Sequence, residues 1–221
     1  MQHEFWHDRW ESNQIGFHLP EANPLLVKHF TALNLKSTSN PNTSARIFLP
    51  LCGKTLDIAW LLTQGHRVVG AELSQIAIED LFSDLKLTPT ITTHDDFTHY
   101  SAPNIDIFVG DIFNMTPALL GQIDLIYDRA ALVALPEDMR KRYATHLLTL
   151  TDRATPQLLI CFEYDQSLHA GPPFSVNAVA VKLYYQSAYD IHLLERVTMV
   201  DGLKGKYPAT EHVWLLTPHR Q

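Results

Sequence analysis

Three charged residues follow short apolar runs in this chain: Glu72 after the run 67–71, Asp111 after 105–110 and Arg129 after 123–128. Leu51, in the loop after an earlier run, precedes Glu72 by twenty-one residues. An acid about 20 residues beyond the first loop of a strand–helix–strand unit is placed to accept both ribose hydroxyls of an adenosine. On spacing alone, a solvated carboxylate at a loop start explains Glu72 equally well. Asp111 could accept from an adenine amino group while Ile112 packs on the ring, although Gly-Asp after a strand is also ordinary turn chemistry. Arg129 enters the apolar stretch 130–135 and needs a partner there. Asp128 is one answer, and the carboxylate of a ligand is the other. An adenosine bearing an amino-acid carboxylate satisfies all of these groups together, and S-adenosylmethionine is that molecule.

Other chemistries fit the same loops less well. Gly53-Lys54-Thr55 suggests a phosphate-binding loop, but that motif needs a glycine at position 48, where the chain has Phe48. Gly53 is also the only glycine of its loop, so the G-x-G-x-x-G dinucleotide fingerprint fails. Cys52 reads as a small apolar residue in a tight turn rather than a nucleophile. His3 and His7 are four apart, but the 12 histidines form no metal-ligand pattern and no metal is expected. The charge of −7 and a pI near 5.9 argue against nucleic acid as a partner. No apolar run reaches the ~18–20 residues that span a bilayer, and the charged N-terminus is unlike a signal peptide. Two cysteines exclude a disulfide framework. A cytoplasmic protein, off the membrane and monomeric, is the expectation.

These residues need a frame that brings loop ends together. Hydrophobic residues are 46% of the chain and charged ones 19%, enough apolar surface for one large domain of 221 residues. Apolar runs at 47–51, 67–71, 105–109, 123–127 and 157–162 read as buried strands. Helical spacing follows Asn23-Pro24, Lys54, Ser74, Pro136 and Ser175. Two last strands, 189–197 and 211–216, have no helix between them and should pair as an antiparallel edge hairpin. Alternation of this kind predicts an α/β fold: a seven-stranded, mostly parallel sheet with helices on both faces. Such sheets bind ligands beyond the carboxyl ends of their strands. The polar stretch 36–44 reads as a linker between an N-terminal helical segment, 1–35, and an α/β core, 45–221, of a single domain.

The sequence resembles the thiopurine S-methyltransferases, especially their bacterial members. The likeness rests on Phe5-Trp-His-Asp-Arg-Trp10, Ile15-Gly-Phe-His18, Leu49-Pro-Leu-Cys-Gly-Lys-Thr55 and Gln64-Gly-His66. It continues through Gly70-Ala-Glu-Leu-Ser74, the segment 127–136 and Gly171-Pro-Pro-Phe-Ser-Val176. The resemblance implies the Rossmann-like class I methyltransferase fold, with the N-terminal segment as a lid over S-adenosylmethionine. It implies cofactor contacts from Trp10, Leu51, Glu72, Asp111, Ile112 and Arg129, and it matches Phe17 to an aromatic beside the acceptor. The tail after about residue 198 is less like the family.

The implied reaction is methyl transfer to a small-molecule thiol, thiopurine-like and heterocyclic, or to a selenium or tellurium species. An aromatic thiol ionises near neutral pH and the donor is already activated. Alignment then supplies most of what is required, ~7–11 kcal/mol, and no catalytic residue is expected. Two other functions remain open at this level. One is methylation of an oxygen or nitrogen, which needs a His or Asp at the acceptor. The other is a non-catalytic S-adenosylmethionine-binding module.

Overall fold

The structure is a computed structural model that describes residues 3–33, 44–151 and 154–219. The chain divides into two compact units, Met1–Leu125 and Ile126–Gln221. The expected linker 36–44, apart from Ser44, lies outside the described residues.

The first unit begins with helices α1 (His3–Glu11) and α2 (Pro24–His29). Asn23 starts α2, its side chain accepting the N–H groups of Leu25 and Leu26, with Pro24 in the first turn. The N–H of Asn23 donates to the buried Asp57 carboxylate at 2.6 Å, which fastens this entry to the next helix. Then come β1 (Arg46–Pro50), α3 (Leu56–Thr63), β2 (Arg67–Glu72), α4 (Gln75–Asp84), β3 (Thr90–His94), β4 (Phe97–Ala102), β5 (Ile105–Val109) and α5 (Pro117–Leu120). The strands lie in the order β3-β4-β5-β2-β1. β1, β2 and β5 run parallel, and β4 is antiparallel to both neighbours. Ile47, Phe48, Val68, Val69, Ile105 and Ile107 are all but inaccessible, as apolar runs buried on both faces require.

The second unit holds β6 (Leu125–Arg129, opening at the boundary), α6 (Glu137–Thr149), β7 (Gln157–Tyr164), α7 (Ala178–Tyr185), β8 (Tyr189–Thr198) and β9 (Ala209–Pro218). Its order is β6-β7-β9-β8, with β6 and β7 parallel. β8 and β9 form the expected antiparallel hairpin.

Among the described residues, nine strands stand where seven were expected. The two missed are β3 and β4. Every residue of β3, Thr-Ile-Thr-Thr-His, is exposed, so this edge strand has no apolar face to announce it. Helix α7 opens at Asn177, whose side chain accepts the Ala180 N–H, not at Ser175. Ser175 is occupied elsewhere: its hydroxyl takes the Tyr164 N–H and its own N–H donates to Gln166. No helix among the described residues is long and apolar enough to cross a membrane.

Asp128, on β6, is wholly buried. Its carboxylate accepts the Leu132 N–H at 3.0 Å and the Tyr143 hydroxyl at 2.8 Å, tying the strand end to the following turn and to α6. Burial pushes its acidity from 3.8 to about 6, against the pull of those two donors and the Ala131 N–H. The folded state therefore holds a proton that the unfolded chain has released. The stability this confers is complete below pH 4 and lost as pH rises to about 6, roughly 3 kcal/mol in all. Asp128→Asn should remove that dependence. Between pH 4 and 6.5, denaturant titrations should show the variant gaining on the parent by that amount, then a constant difference. Parallel stability curves across the window would count against the assignment.

Candidate functional site

The carboxyl ends of β1, β2 and β5 lie side by side in the first unit and carry the loops 51–55, 73–74 and 110–114. Glu72, last residue of β2, is 7% exposed. One carboxylate oxygen accepts the Gly53 N–H at 2.8 Å, and the other accepts the Ser74 N–H at 2.9 Å. The alternative of a solvated carboxylate at a loop start is corrected: Glu72 is a clamp that holds the β1 loop to the β2 loop. Burial pushes its carboxyl above the usual carboxylate range, opposed by the N–H groups of Ser74, Gly53 and Leu73 and by His7. A carboxylate oxygen accepts two hydrogen bonds. With the Gly53, Ser74 and Leu73 N–H groups accounted for, the carboxylate keeps acceptor capacity for a further donor such as a ribose hydroxyl.

The β1 loop turns through two left-handed residues, Leu51 at φ 48° and Gly53 at φ 52°. For Leu51 that conformation costs on the order of 1 kcal/mol, and strain of this kind collects at ligand sites. Between them Cys52 is buried, its N–H bonded to the Ala71 carbonyl at 3.0 Å. A Cβ at Gly70 would come within 2.8 Å of the Cys52 sulfur, so the glycine makes room for the thiol. Burial, and then the Glu72 charge, push the pKa of that thiol well above its ordinary value, so it stays protonated. Cys52 is a packing residue. Lys54 pairs with Asp80 of α4 at 2.8 Å.

Helix α1 lies across these strand ends. His3, His7 and Trp10 are spaced i, i+4, i+7 and share one face. The His3 ring meets the Asp111 carboxylate at 3.2 Å. His7 lies close enough to Glu72 to act on its charge. Trp10, 7% exposed, lies against Gly53, where a Cβ would stand 2.9 Å from the indole. The order β5, β2, β1 is met in turn. Helical rise separates the three residues by ~6 and ~4.5 Å, close to the ~4.8 Å between strands. Sequence reading had weighed His3 and His7 only as metal ligands; the i, i+4, i+7 recurrence with Trp10 was the available signal.

Asp111 first serves its own turn, accepting the Phe113 N–H at 2.9 Å, and Ile112 behind it is 7% exposed. Phe17 packs edge-on to Trp6 and Trp10, with ring centroids 5.9 and 5.4 Å away. Among the described residues, no group of three or more His, Cys, Asp or Glu could hold a metal. Trp10, Phe17, Leu51, Glu72, Asp111 and Ile112 therefore all belong to the first unit. Arg129 ends β6 in the second. Adjacent strand residues point to opposite faces, so Arg129 faces away from Asp128, and the carboxylate whose charge it moderates is Glu211 of β9. Asp128 as the simple partner of Arg129 is thereby corrected. No local pattern joins residues 129 and 211; only strand pairing does.

A family model described as thiopurine S-methyltransferase (TPMT) matches residues 1–217. The chain is 55% identical over 217 residues to the thiopurine S-methyltransferase of Xanthobacter autotrophicus, covering 98% of this chain and 99% of the relative. It is 51% identical over 217 residues to that of Teredinibacter turnerae, covering 98% of each. Among solved structures, it is similar to the 1,6-didemethyltoxoflavin-N1-methyltransferase of Burkholderia thailandensis, crystallised with S-adenosylhomocysteine. There the TM-score is 0.65 at 13% identity, over 97% of this chain and 87% of the other, a likeness of fold.

Because Glu72 satisfies two backbone N–H groups, its removal should be felt twice. Glu72→Ala leaves the Gly53 and Ser74 donors without their acceptor, at about 1–3 kcal/mol. The melting temperature should fall, contrary to the small effect expected of a cleft residue. On protein verified as folded, adenosine should also bind roughly 10- to 150-fold more weakly. Unchanged affinity by calorimetry would sever Glu72 from the ribose.

Proposed function

The chain belongs to the thiopurine S-methyltransferase family, and from that membership we propose how its own residues hold the two reactants. It is an S-adenosylmethionine-dependent enzyme that methylates a small-molecule thiol. When bound, S-adenosylmethionine supplies a methyl group on a positively charged sulfur, which a thiol sulfur displaces in line.

The observation that carries the assignment is the Glu72 carboxylate, nearly buried at the end of β2, with both oxygens oriented by backbone N–H groups. Glu72 takes the ribose hydroxyls. Leu51, in its left-handed turn, and Ile112 flank the adenosine, and Asp111 accepts from the adenine amino group. Arg129 holds the amino-acid carboxylate, for which a guanidinium fork is suited. Residues 1–35 act as the lid, and within it Trp10 lies against Gly53 of the β1 loop. Shielding the reacting sulfur from water raises its nucleophilicity and strengthens the site's electrostatics. Phe17, held edge-on between two tryptophans, offers a ring to a flat heterocyclic acceptor. The acceptor class is an aromatic or heterocyclic thiol, with selenium and tellurium species sharing its soft nucleophile. Both cysteines are free and buried, consistent with a cytoplasmic monomer.

Calorimetry with S-adenosylmethionine and S-adenosylhomocysteine should show binding of both. A methyl-transfer assay should then show turnover on aromatic thiols and none on the matching phenols and anilines. Binding without turnover on any thiol would leave only a ligand-binding module, and preference for the phenol would make the enzyme an oxygen methyltransferase.

Phe17→Ala should raise KM for an aromatic thiol by roughly 2- to 10-fold, the worth of one aromatic contact. The dissociation constant for S-adenosylhomocysteine should change much less. Equal loss in both would assign Phe17 to lid packing alone.

A further inference from the structure

Lys54 stands where a cation is least expected. Thr55 caps α3, its side chain accepting the Asp57 N–H, so Lys54 immediately precedes the positive end of that helix. Cations are disfavoured there and acids favoured. The Lys54 side chain is also only 17% exposed, which takes water from an ammonium that needs it. A local rule broken in this way points to a tertiary reason for the residue. That reason is Asp80, in the second turn of α4. One of its carboxylate oxygens accepts from the Lys54 ammonium at 2.8 Å.

The pair closes a ring. Gly53 donates to one oxygen of Glu72 and Ser74 donates to the other. Ser74 caps α4, and further along that helix Asp80 takes the ammonium of Lys54, the neighbour of Gly53 in the chain. The β1 loop is therefore tied to the β2–α4 segment at two points, at Ser74 through Glu72 and at Asp80. Helical rise sets them ~9 Å apart. A single tie leaves a loop able to pivot about it, and a second tie at a distance stops the pivot. Leu51 and Gly53, both left-handed, belong to this loop, and strained residues persist where their surroundings fix them. We propose that Asp80 is a positioning residue, which through Lys54 sets the β1 loop against α4 so that the loop is in place before adenosine reaches Glu72 and Leu51. A ligand that meets a preset loop does not have to order it. This role rests on the assignment of Glu72 to the ribose. The Asp80 side chain is 48% exposed, so it can be exchanged without opening the core.

Adenosine carries no charge at neutral pH, so salt acts on the ion pair and not on the ligand. Calorimetry with adenosine, well below the melting temperature of each protein, would compare the parent with Asp80→Asn, Asp80→Glu, Lys54→Met, Lys54→Met/Asp80→Asn and Glu72→Ala. Asp80→Asn should weaken adenosine by roughly two- to fivefold, the reach of a partly exposed ion pair. Asp80→Glu, which keeps the charge on a longer arm, should recover part of the loss. The double variant should bind no worse than Lys54→Met alone, since Asp80 acts through Lys54. High salt should bring the parent down toward Asp80→Asn and leave that variant where it was. A pair that only stabilises the fold would lower the melting temperature and spare the affinity. That outcome, seen with Glu72→Ala weakened, overturns the positioning role and leaves Glu72 at the ribose. Tighter binding in Asp80→Asn overturns it as well, because the pair would then hold the loop away from the ligand. An equal loss from Asp80→Asn in the Lys54→Met background removes Lys54 from the path and overturns it too. If Glu72→Ala binds adenosine as the parent does, the ribose assignment fails and the role of Asp80 with it.

Discussion

A buried carboxylate that must accept hydrogen bonds organises the ligand-binding end of the first unit. At the carboxyl end of a parallel strand the chain leaves the ladder, and the next N–H groups lose their sheet partners. Buried N–H groups cannot stay unpaired without a cost of about 1–3 kcal/mol each. Glu72 meets that demand for Ser74 in its own turn and for Gly53 in the neighbouring loop. The β1 loop is therefore shaped by an acid nineteen residues away. Its left-handed Leu51, its buried Cys52 and its close contact with Trp10 all depend on where Gly53 is held.

The same solution recurs at other strand ends. Asp111 accepts the Phe113 N–H, and Asp128 accepts the Leu132 N–H. Each acid closes the turn that follows its strand, and each does so from a different degree of burial. Asp128 is sealed, bonded to Leu132 and Tyr143 inside the second unit, and acts as a fastener. Glu72 is nearly sealed but keeps acceptor capacity, and Asp111 is the most open of the three, with a side chain 27% exposed. One structural duty, closing the turn after a strand, is thus met from three degrees of burial.

The fit of α1 to the sheet is a matter of two repeat lengths. A helix advances about 5 Å over three to four residues, and parallel strands are spaced by nearly the same distance. One helical face can therefore address successive strand ends without bending. His3, His7 and Trp10 do so on β5, β2 and β1. Phe5 packs edge-on to Trp6 within the helix, and Phe17, beyond its end, packs edge-on to Trp6 and Trp10.

Local chemistry in the sequence was sufficient for much of this. Short apolar runs marked the buried strands of both units, because a strand covered on two faces has no other composition open to it. Asn23 and Ser74 announced helix starts, because orphan N–H groups at a helix end need an acceptor at once. The twenty-one residues from Leu51 to Glu72 located the two loops that meet, since a strand–helix–strand unit has a nearly fixed length. Strand β3 was not legible, because an edge strand with no buried face carries no apolar signal, and β4 buries only Phe97 and Tyr100, too few for a continuous apolar run. Tertiary structure alone decided that Glu72 is a clamp, that α1 matches the strand spacing and that Arg129 faces Glu211. Each of these joins residues distant in the chain through pairing register or burial, and neither quantity is written in any local window of the sequence.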